Sequence, residues 1–426
     1  FNLLTSVMDD MRPENKYLHL MDEQEAITKA QALLNRPGEA NVSPLAVYRH
    51  PSMTDSVQRH RPNVVLIMME SMSCKFMKHF GQSETLTPFL DSLYTRSISF
   101  RNFYSAGIHT NHGLYATLYS FPAMMKRNLM KGSVIPRYSG LPTVLKENGY
   151  YNLFFMTHEG QYDNMNAFFR TNGYDEVFSQ ENYPADKVVN SFGVQDDFLY
   201  DYAIPVLNQR AATGQPFFAT LLSISNHPPY VIPPFFHPKT SEPETQIVEY
   251  ADWALRQFFE EARKQPWFDN TIFVLEGDHG KLVGDAECEL PESYNHIPLM
   301  IYSSRIQPEE KTTFGGQVDI QPTILGLLNI DYLQNNFGVD LLKEERPCMF
   351  YTADNMVVGR NDTLLYLYNY ETQQELTYHI GNGKLNAVPM GDSFLPLKEY
   401  SFSMLQSAEF LVKHGKTLNS IPFTQQ

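Results

Sequence analysis

The chain has 426 residues, 42% of them hydrophobic and 13% aromatic, which is enough to fill a large core. This length fits one large domain with additions, or two to three smaller domains. The formal net charge of −15 argues against nucleic acid as a partner, because phosphate backbones bind cationic surfaces. The three cysteines form no CxxC pair and match no zinc-ribbon spacing, so at most one disulfide is possible.

The first 61 residues are predicted to form a helix followed by a linker. Apolar residues recur at helical spacing between Asp22 and Asn35, and the sequence Arg36-Pro37-Gly38 then ends the helix. Residues 37–62 are polar and carry four prolines, which is typical of a linker or stalk.

Residues 62–344 alternate between strand and helix patterns. Short apolar runs predict strands at 64–69, 151–156, 217–224, 271–276 and 297–302. Amphipathic stretches predict helices at 142–148, 249–264 and 322–328. This alternation predicts an α/β domain with a mostly parallel central sheet flanked by helices.

Residues 345–426 follow a different pattern. Short strands are predicted at 349–351, 363–370 and 375–380, with Asn, Gly and Thr in the turns between them. A helix over 401–414 closes the chain. We therefore expect a small C-terminal subdomain with an antiparallel sheet and a terminal helix.

Two of the predicted buried strands end in groups that can bind a metal. Glu70 follows the run 64–69, and Asp278 and His279 follow the run 271–276. Ligands gather at the carboxyl ends of parallel strands, so these residues are candidates for one shared metal site. Taken singly, Glu70 also fits a first-turn helix acid and Asp278-His279 an ordinary turn.

Thr110 lies after a possible short strand at 98–104 and before a possible helix at 114–119. Its hydroxyl suits either a helix N-cap or a nucleophile whose proton is lost to a bound metal. His227 and His296 lie at strand edges, where a histidine can be a ligand or a packing residue.

The motifs resemble the lipoteichoic-acid-synthase-like branch of the alkaline phosphatase/sulfatase superfamily. The resemblance covers about residues 62–330 and is specific as an ordered set. The matching segments are 63–73, 87–91, 100–104, 141–150, 173–175, 225–230, 266–274, 277–280, 296–299 and 318–325.

The resemblance implies an alkaline-phosphatase-like α/β sandwich with a smaller C-terminal sheet. It places Glu70, Thr110, Asp278 and His279 on the family's metal ligands, with Thr110 as catalytic nucleophile. It places His227 on a histidine that contacts the bound head group. His296 is similar to a histidine that phosphoethanolamine transferases use for substrate or for a second metal.

The chain departs from the family pattern beside the nucleophile. Asn111 and His112 follow Thr110 where many relatives have an acidic residue or Ser and then Arg, and we expect both to contact substrate. Asp163 and Met165 stand near the positions of a Trp and an Arg that grip glycerol phosphate in lipoteichoic acid synthases. The segment from Thr110 lacks the C/S-x-P-x-R motif of sulfatases, which argues against sulfate ester hydrolysis.

The expected activity is the transfer of a phospholipid head group, phosphoglycerol-like, through a phosphothreonine intermediate to an envelope glycan or lipid. One divalent metal ion is expected, with manganese favoured over magnesium or zinc. No apolar run here approaches the ~20 residues that span a bilayer, and the chain starts at Phe1. We therefore expect a membrane anchor upstream and a catalytic domain on the extracytoplasmic face.

Two alternatives remain open from the sequence. One is a phosphodiesterase or phosphoethanolamine transferase of the same superfamily, with two metals that recruit His227 and His296. The other is a degenerate member that binds a ligand without catalysis.

Overall fold

The secondary structure was taken from a computed structural model, which describes residues 17–36, 48–49, 61–132, 134–381 and 383–419. Most of the predicted linker over 37–62 falls outside these residues. The helices are α1 (Glu23–Leu34), α2 (Pro88–Tyr94), α3 (Thr110–Tyr119), α4 (Leu141–Glu147), α5 (Met165–Thr171), α6 (Asp196–Ala211), α7 (Pro243–Ala262), α8 (Ile320–Leu327) and α9 (Leu395–Lys413). The strands are β1 (Tyr48–Arg49), β2 (Asn63–Met69), β3 (Ile98–Tyr104), β4 (Tyr151–Met156), β5 (Glu176–Phe178), β6 (Phe217–Leu222), β7 (Thr271–Gly277), β8 (Leu299–Tyr302), β9 (Glu309–Gly316), β10 (Gln334–Asn335), β11 (Met349–Thr352), β12 (Met356–Arg360), β13 (Leu364–Asn369), β14 (Gln374–Gly381) and β15 (Lys384–Ala387).

The central sheet has eight strands in the order β5-β4-β6-β2-β7-β8-β3-β9. Strand β8 runs antiparallel to both of its neighbours, and every other pairing is parallel. The prediction of a mostly parallel α/β sheet is therefore confirmed.

Strand β2 lies in the middle of this sheet, between β6 and β7, and all seven of its residues are buried. Val64, Leu66 and Met68 enter the core on one face, and the residues between them enter a second core on the other. Each such apolar side chain contributes about 1.5–3 kcal/mol when it is buried. Burial on both faces explains why the run is apolar without alternation.

The C-terminal part forms a separate antiparallel sheet in the order β11-β12-β13-β14-β15, as the sequence predicts. Helix α9 packs on β11 and β12 and also against α1. The predicted N-terminal helix is confirmed as α1, whose cap residue Asp22 accepts hydrogen bonds from the backbone N–H groups of Gln24 and Glu25. The N-terminal helix is therefore docked on the C-terminal helix.

The domain boundaries after residues 61 and 344 stay predictions. Contacts cross the second boundary, since the Arg346 guanidinium donates to the Asp319 carboxylate in the buried interior. Within the part of the chain that the structure describes, no helix combines the length and apolar character needed to cross a bilayer.

Candidate metal and phosphoryl-transfer site

Strand register places Glu70 and Asp278 side by side. Met69 of β2 pairs with Gly277 of β7, so the next residue of each strand leaves the sheet at the same edge. The Asp278 N–H donates to the Met69 carbonyl at 3.0 Å. Ser71 turns the chain with a φ of 50°, and its N–H donates to Asp278 Oδ1 at 2.8 Å. The turn thereby fixes the orientation of the Asp278 carboxylate.

His279 completes a cluster with these two acids. One ligand atom of each of Glu70, Asp278 and His279 lies within 4.8 Å of the others. His279 Nε2 is 3.9 Å from Glu70 Oε1 and 3.6 Å from Asp278 Oδ2. His279 Nδ1 is 2.7 Å from the Gly280 carbonyl oxygen, which can only accept, so Nδ1 carries a proton. In the neutral ring, Nε2 is then the free nitrogen facing the carboxylates.

The electrostatics of the cluster fit a bound cation. Glu70 and Asp278 are both buried. Burial, and the charge of the neighbouring Asp278, hold the pKa of the Glu70 carboxyl well above its usual range. Asp278 Oδ2 is buried and has no hydrogen-bond partner among the described residues. Two buried carboxylates and one imidazole form a donor set that Mn²⁺, Mg²⁺ or Zn²⁺ accepts.

Thr110 is brought to the same cluster by helix α3. The helix begins at Thr110 and its N-cap residue is His109, so the Thr110 hydroxyl is not the cap. Instead, Thr110 Oγ1 donates to Glu70 Oε2 at 3.4 Å. The structure therefore gathers the four residues expected to form the metal site.

Tight packing holds α3 against the strand end. A Cβ on Gly113 would lie 2.2 Å from the Asp278 carbonyl oxygen, so only glycine fits there. The side chain of Gln317 accepts from the Ala106 N–H at 2.8 Å and donates to the Asp278 carbonyl at 2.7 Å. These contacts fix the segment that carries Thr110 relative to Asp278.

Asn111 and His112, the two residues after Thr110, have unsatisfied polar atoms. Asn111 Nδ2 donates to Asp163 Oδ2 at 3.3 Å, and Asn111 Oδ1 is buried with no partner among the described residues. His112 is fully buried, and within the same described part neither ring nitrogen has a hydrogen-bond partner. Burial, reinforced by the nearby His109, lowers the pKa of His112 to about 3. His112 is therefore a neutral imidazole at neutral pH.

His227 lies on a loop that is tied to the metal cluster. Asn226, the preceding residue, donates to the carbonyls of Glu70 and Ser71 at 3.1 and 3.2 Å. The His227 ring lies over Phe192 with a centroid separation of 4.0 Å, and the residue is partly exposed. This loop position is compatible with a substrate contact.

His296 uses its ring in packing. Its Nε2 is 2.7 Å from the Arg101 carbonyl oxygen, and its ring stacks on Tyr104 at 5.1 Å. Phe80 packs edge-on against the same ring at 5.2 Å. The expectation that His296 contacts substrate or a second metal stays a prediction, and these contacts lend it no support.

A groove of about 2200 Å³ runs beside the site. Its lining includes Asp163, which contacts Asn111 and forms an ion pair with Lys131 at 3.0 Å. It also includes His158, a buried histidine whose ring packs against Tyr162 at 4.7 Å. The sequence analysis missed His158, although its place two residues after the predicted strand 151–156 was an available signal.

Lys281 was also missed. Its ammonium donates to Asn226 Oδ1 at 2.6 Å and to the Tyr230 hydroxyl at 3.1 Å. Burial lowers the pKa of Lys281 to about 8. Its position two residues after His279 was the signal in the sequence.

Most of the central α/β part of the chain matches a known protein family. The sulfatase family model matches residues 62–330, more than half of the chain. The chain belongs to the sulfatase family. The expected recognition within the alkaline phosphatase and sulfatase superfamily is confirmed, and so is the expectation of an enzyme.

Similar proteins refine this placement. The chain is 24% identical over 315 residues to lipoteichoic acid synthase 2 of Bacillus subtilis, a match that covers 66% of this chain and 47% of that protein. The chain thus spans about half the length of the curated relatives it matches.

Two solved structures share the fold. An alkaline phosphatase superfamily protein from Vibrio parahaemolyticus is 25% identical with a TM-score of 0.82, covering 94% of this chain and 98% of that chain. The lipoteichoic acid synthase LtaP from Listeria monocytogenes is 20% identical with a TM-score of 0.71, covering 92% and 98%. The predicted sandwich with a small C-terminal sheet is therefore confirmed.

Proposed function

We propose that this chain transfers a phospholipid head group, phosphoglycerol-like, through a phosphothreonine intermediate to an extracytoplasmic glycan or lipid acceptor. The observation that carries the proposal is the Thr110 hydroxyl, 3.4 Å from Glu70 at the start of α3 and beside a possible metal cluster. The similarity to lipoteichoic acid synthase 2 supports a phosphoglycerol donor.

The residues fit one divalent cation, for which we favour manganese over magnesium or zinc. Glu70, Asp278, His279 and Thr110 would hold it. When bound, such an ion lowers the pKa of a coordinated hydroxyl and offsets the negative charge of phosphoryl oxygens.

The covalent chemistry belongs to Thr110. Its Oγ1 forms a bond to the donor phosphorus, the bond from phosphorus to the diacylglycerol oxygen breaks, and that oxygen leaves with a proton. The N-terminus of the ten-residue helix α3 favours the negative charge that develops at this position.

The second step restores the enzyme. An acceptor hydroxyl loses its proton and forms a bond to the same phosphorus, the bond to Thr110 Oγ1 breaks, and Thr110 regains a proton. We propose that Asn111, His112 and His227 orient phosphoryl or head-group oxygens, since each offers a polar group near Thr110 or on the loop tied to Glu70.

The acceptor is proposed to approach along the groove. Its walls mix aromatic and hydrogen-bonding side chains, among them Tyr162, Asn164 and Arg170, which suits a glycan or polyol chain. The groove lining includes Asp163, the residue in contact with Asn111. We also propose that the protein is anchored upstream of this chain and works on the outer face of the cell membrane.

Intact-mass measurement tests this proposal. The protein would be incubated with Mn²⁺ and vesicles of phosphatidylglycerol and phosphatidylethanolamine, alongside Thr110→Ala and the exposed-site control Thr95→Ala. We expect an adduct in the wild type and in Thr95→Ala, with a mass that identifies the head group. In Thr110→Ala we expect no adduct and turnover lower by at least about 10³-fold, with Mn²⁺ still bound.

Two outcomes would contradict the proposal. Turnover at the wild-type rate in Thr110→Ala would remove the covalent step. Release of free head group without any transfer to an acceptor would favour a phosphodiesterase instead.

A further inference from the structure

Lys281 is a largely buried cation, and the carboxylates of Glu70 and Glu244 act on its charge only from beyond salt-bridge distance. In the part of the chain that the structure describes, its ammonium forms no ion pair. Its neighbours are the aromatic rings of Phe76 and Tyr230, at 5.3 and 4.7 Å from Nζ. Aromatic faces stabilise a cation only modestly, so a charge in such a place is costly unless an anion reaches it.

The ammonium also keeps one N–H free. Lysine has three such donors, and only Asn226 and Tyr230 accept from Lys281 among the described residues. Both acceptors are neutral. The third donor and the full positive charge are therefore available to a ligand.

Asn226 connects the Lys281 ammonium to the segment that carries Glu70. Asn226 accepts from Lys281 through Oδ1 and donates through Nδ2 to the carbonyls of Glu70 and Ser71. His279, a proposed metal ligand, precedes Lys281 by two residues. The lysine thus borders the place where the phosphate of the substrate is expected.

We propose that Lys281 binds a non-bridging oxygen of the phosphate group on which Thr110 acts. This assignment rests on the proposed function and deepens it by naming a charge that recognises the phosphodiester anion. A purely structural lysine would need only its two hydrogen bonds to hold the loop at 226–230, and a neutral amide could make such bonds. A structural role leaves unexplained why this largely buried cation has no salt bridge among the described residues.

Equilibrium binding of inorganic phosphate tests the assignment without requiring turnover. The protein loaded with one equivalent of Mn²⁺ would be compared with Lys281→Gln, which keeps a donor, and with Lys281→Arg, which keeps the charge. Lys75→Gln is the matched control, because Lys75 is a nearby lysine already paired with Glu287 at 3.4 Å. The Mn²⁺ affinity and the melting temperature of each variant would be measured in parallel.

We expect Lys281→Gln to weaken phosphate binding about tenfold or more, the size of a lost charged hydrogen bond. Its Mn²⁺ affinity and melting temperature should stay at wild-type values. Lys281→Arg should restore most of the phosphate affinity, and Lys75→Gln should not change it.

Several outcomes would overturn the assignment. Equal phosphate binding by the wild type and Lys281→Gln would overturn this assignment but leave the proposed function standing. Lys281 would have a structural role in holding the loop if both variants lost phosphate and Mn²⁺ binding together and melted at a lower temperature. An absence of phosphate binding in the wild type would overturn both this assignment and the proposed function.

Discussion

Two buried acid centres in this protein are built on opposite principles. In the first, Glu70 and Asp278 lie together at the edge of the central sheet, and Asp278 Oδ2 has no hydrogen-bond partner among the described residues. In the second, Asp319 faces the guanidinium of Arg346, and the two side chains are 0% and 1% exposed. The carboxylates of both centres are buried, so the difference between the centres lies in charge and hydrogen bonding.

The second centre is fully satisfied. Arg346 donates to both carboxylate oxygens of Asp319 and to the Tyr400 hydroxyl, and Asp319 also accepts from the N–H groups of Gly316 and Val339. This network joins Arg346, just before β11, and Tyr400 of α9 to Asp319 at the start of α8. The first centre gathers like charges and leaves an acceptor unused, which costs stability until a cation arrives. Of the two buried acid centres, the candidate metal site is therefore the one with an unused acceptor and neighbouring like charges.

The largest effect that would sharpen this comparison is expected at Asp319. Asp319→Asn leaves Arg346 charged and buried without its carboxylate, so the free energy of unfolding should fall by about 3–5 kcal/mol. Urea unfolding followed by circular dichroism measures this, and Mn²⁺ binding at native conditions should be unchanged. The double variant Asp319→Asn/Arg346→Met serves as the control and should recover much of the loss. A loss below about 1 kcal/mol in the single variant would break the comparison.

Substitution of Glu70 in the metal-free protein is expected to raise the free energy of unfolding, opposite to the effect at Asp319. The pKa of this carboxyl is raised above its ordinary value of 4.5, so the unfolded chain loses the proton first as pH rises. Stability therefore falls as pH rises above about 4.5. This loss of stability is complete once pH exceeds the pKa of Glu70 in the folded state. Glu70→Gln should therefore raise the free energy of unfolding at pH 8, and by less at pH 5.

Unfolding of the chelator-treated protein at several pH values checks this sign. Excess Mn²⁺ should reverse the order, because the wild type binds the ion more tightly than Glu70→Gln. If the wild-type protein were the more stable one without metal, the repulsion inferred between Glu70 and Asp278 would be wrong.

The smallest effect is expected where Asp354, between β11 and β12, meets His109, the N-cap residue of α3. His109 Nε2 and Asp354 Oδ1 are 2.7 Å apart, but their side chains are 46% and 49% exposed. Solvent screens such a pair, so Asp354→Asn should change the free energy of unfolding by no more than about 1 kcal/mol. Thermal melts at low and high salt would measure it, and a loss above about 2 kcal/mol would show that this contact resembles the Asp319 centre.

Some elements of the fold were hidden from sequence patterns for physical reasons. Helix α6 was missed because its apolar residues face all sides and Pro205 lies within it. Strand β9 was missed because its first residues are polar and largely exposed at the sheet edge, next to β3. Both elements lack the one-sided apolar pattern on which sequence prediction depends.

The sequence by itself determined the buried strands β2 and β7 and the acids that follow them. A strand covered on both faces is mostly apolar, so the position where its apolar run ends can be located in the sequence. The same local reasoning, together with the family resemblance, made Thr110 and His279 candidates for the metal site.

Only the tertiary structure decided which polar atoms meet. Strand register set Glu70 beside Asp278, and the start of α3 at Thr110 turned its hydroxyl toward Glu70. The tertiary structure also placed His296 in an aromatic stack and left Lys281 without a salt bridge among the described residues. These outcomes depend on contacts between residues that lie far apart in the chain, and no local pattern encodes them.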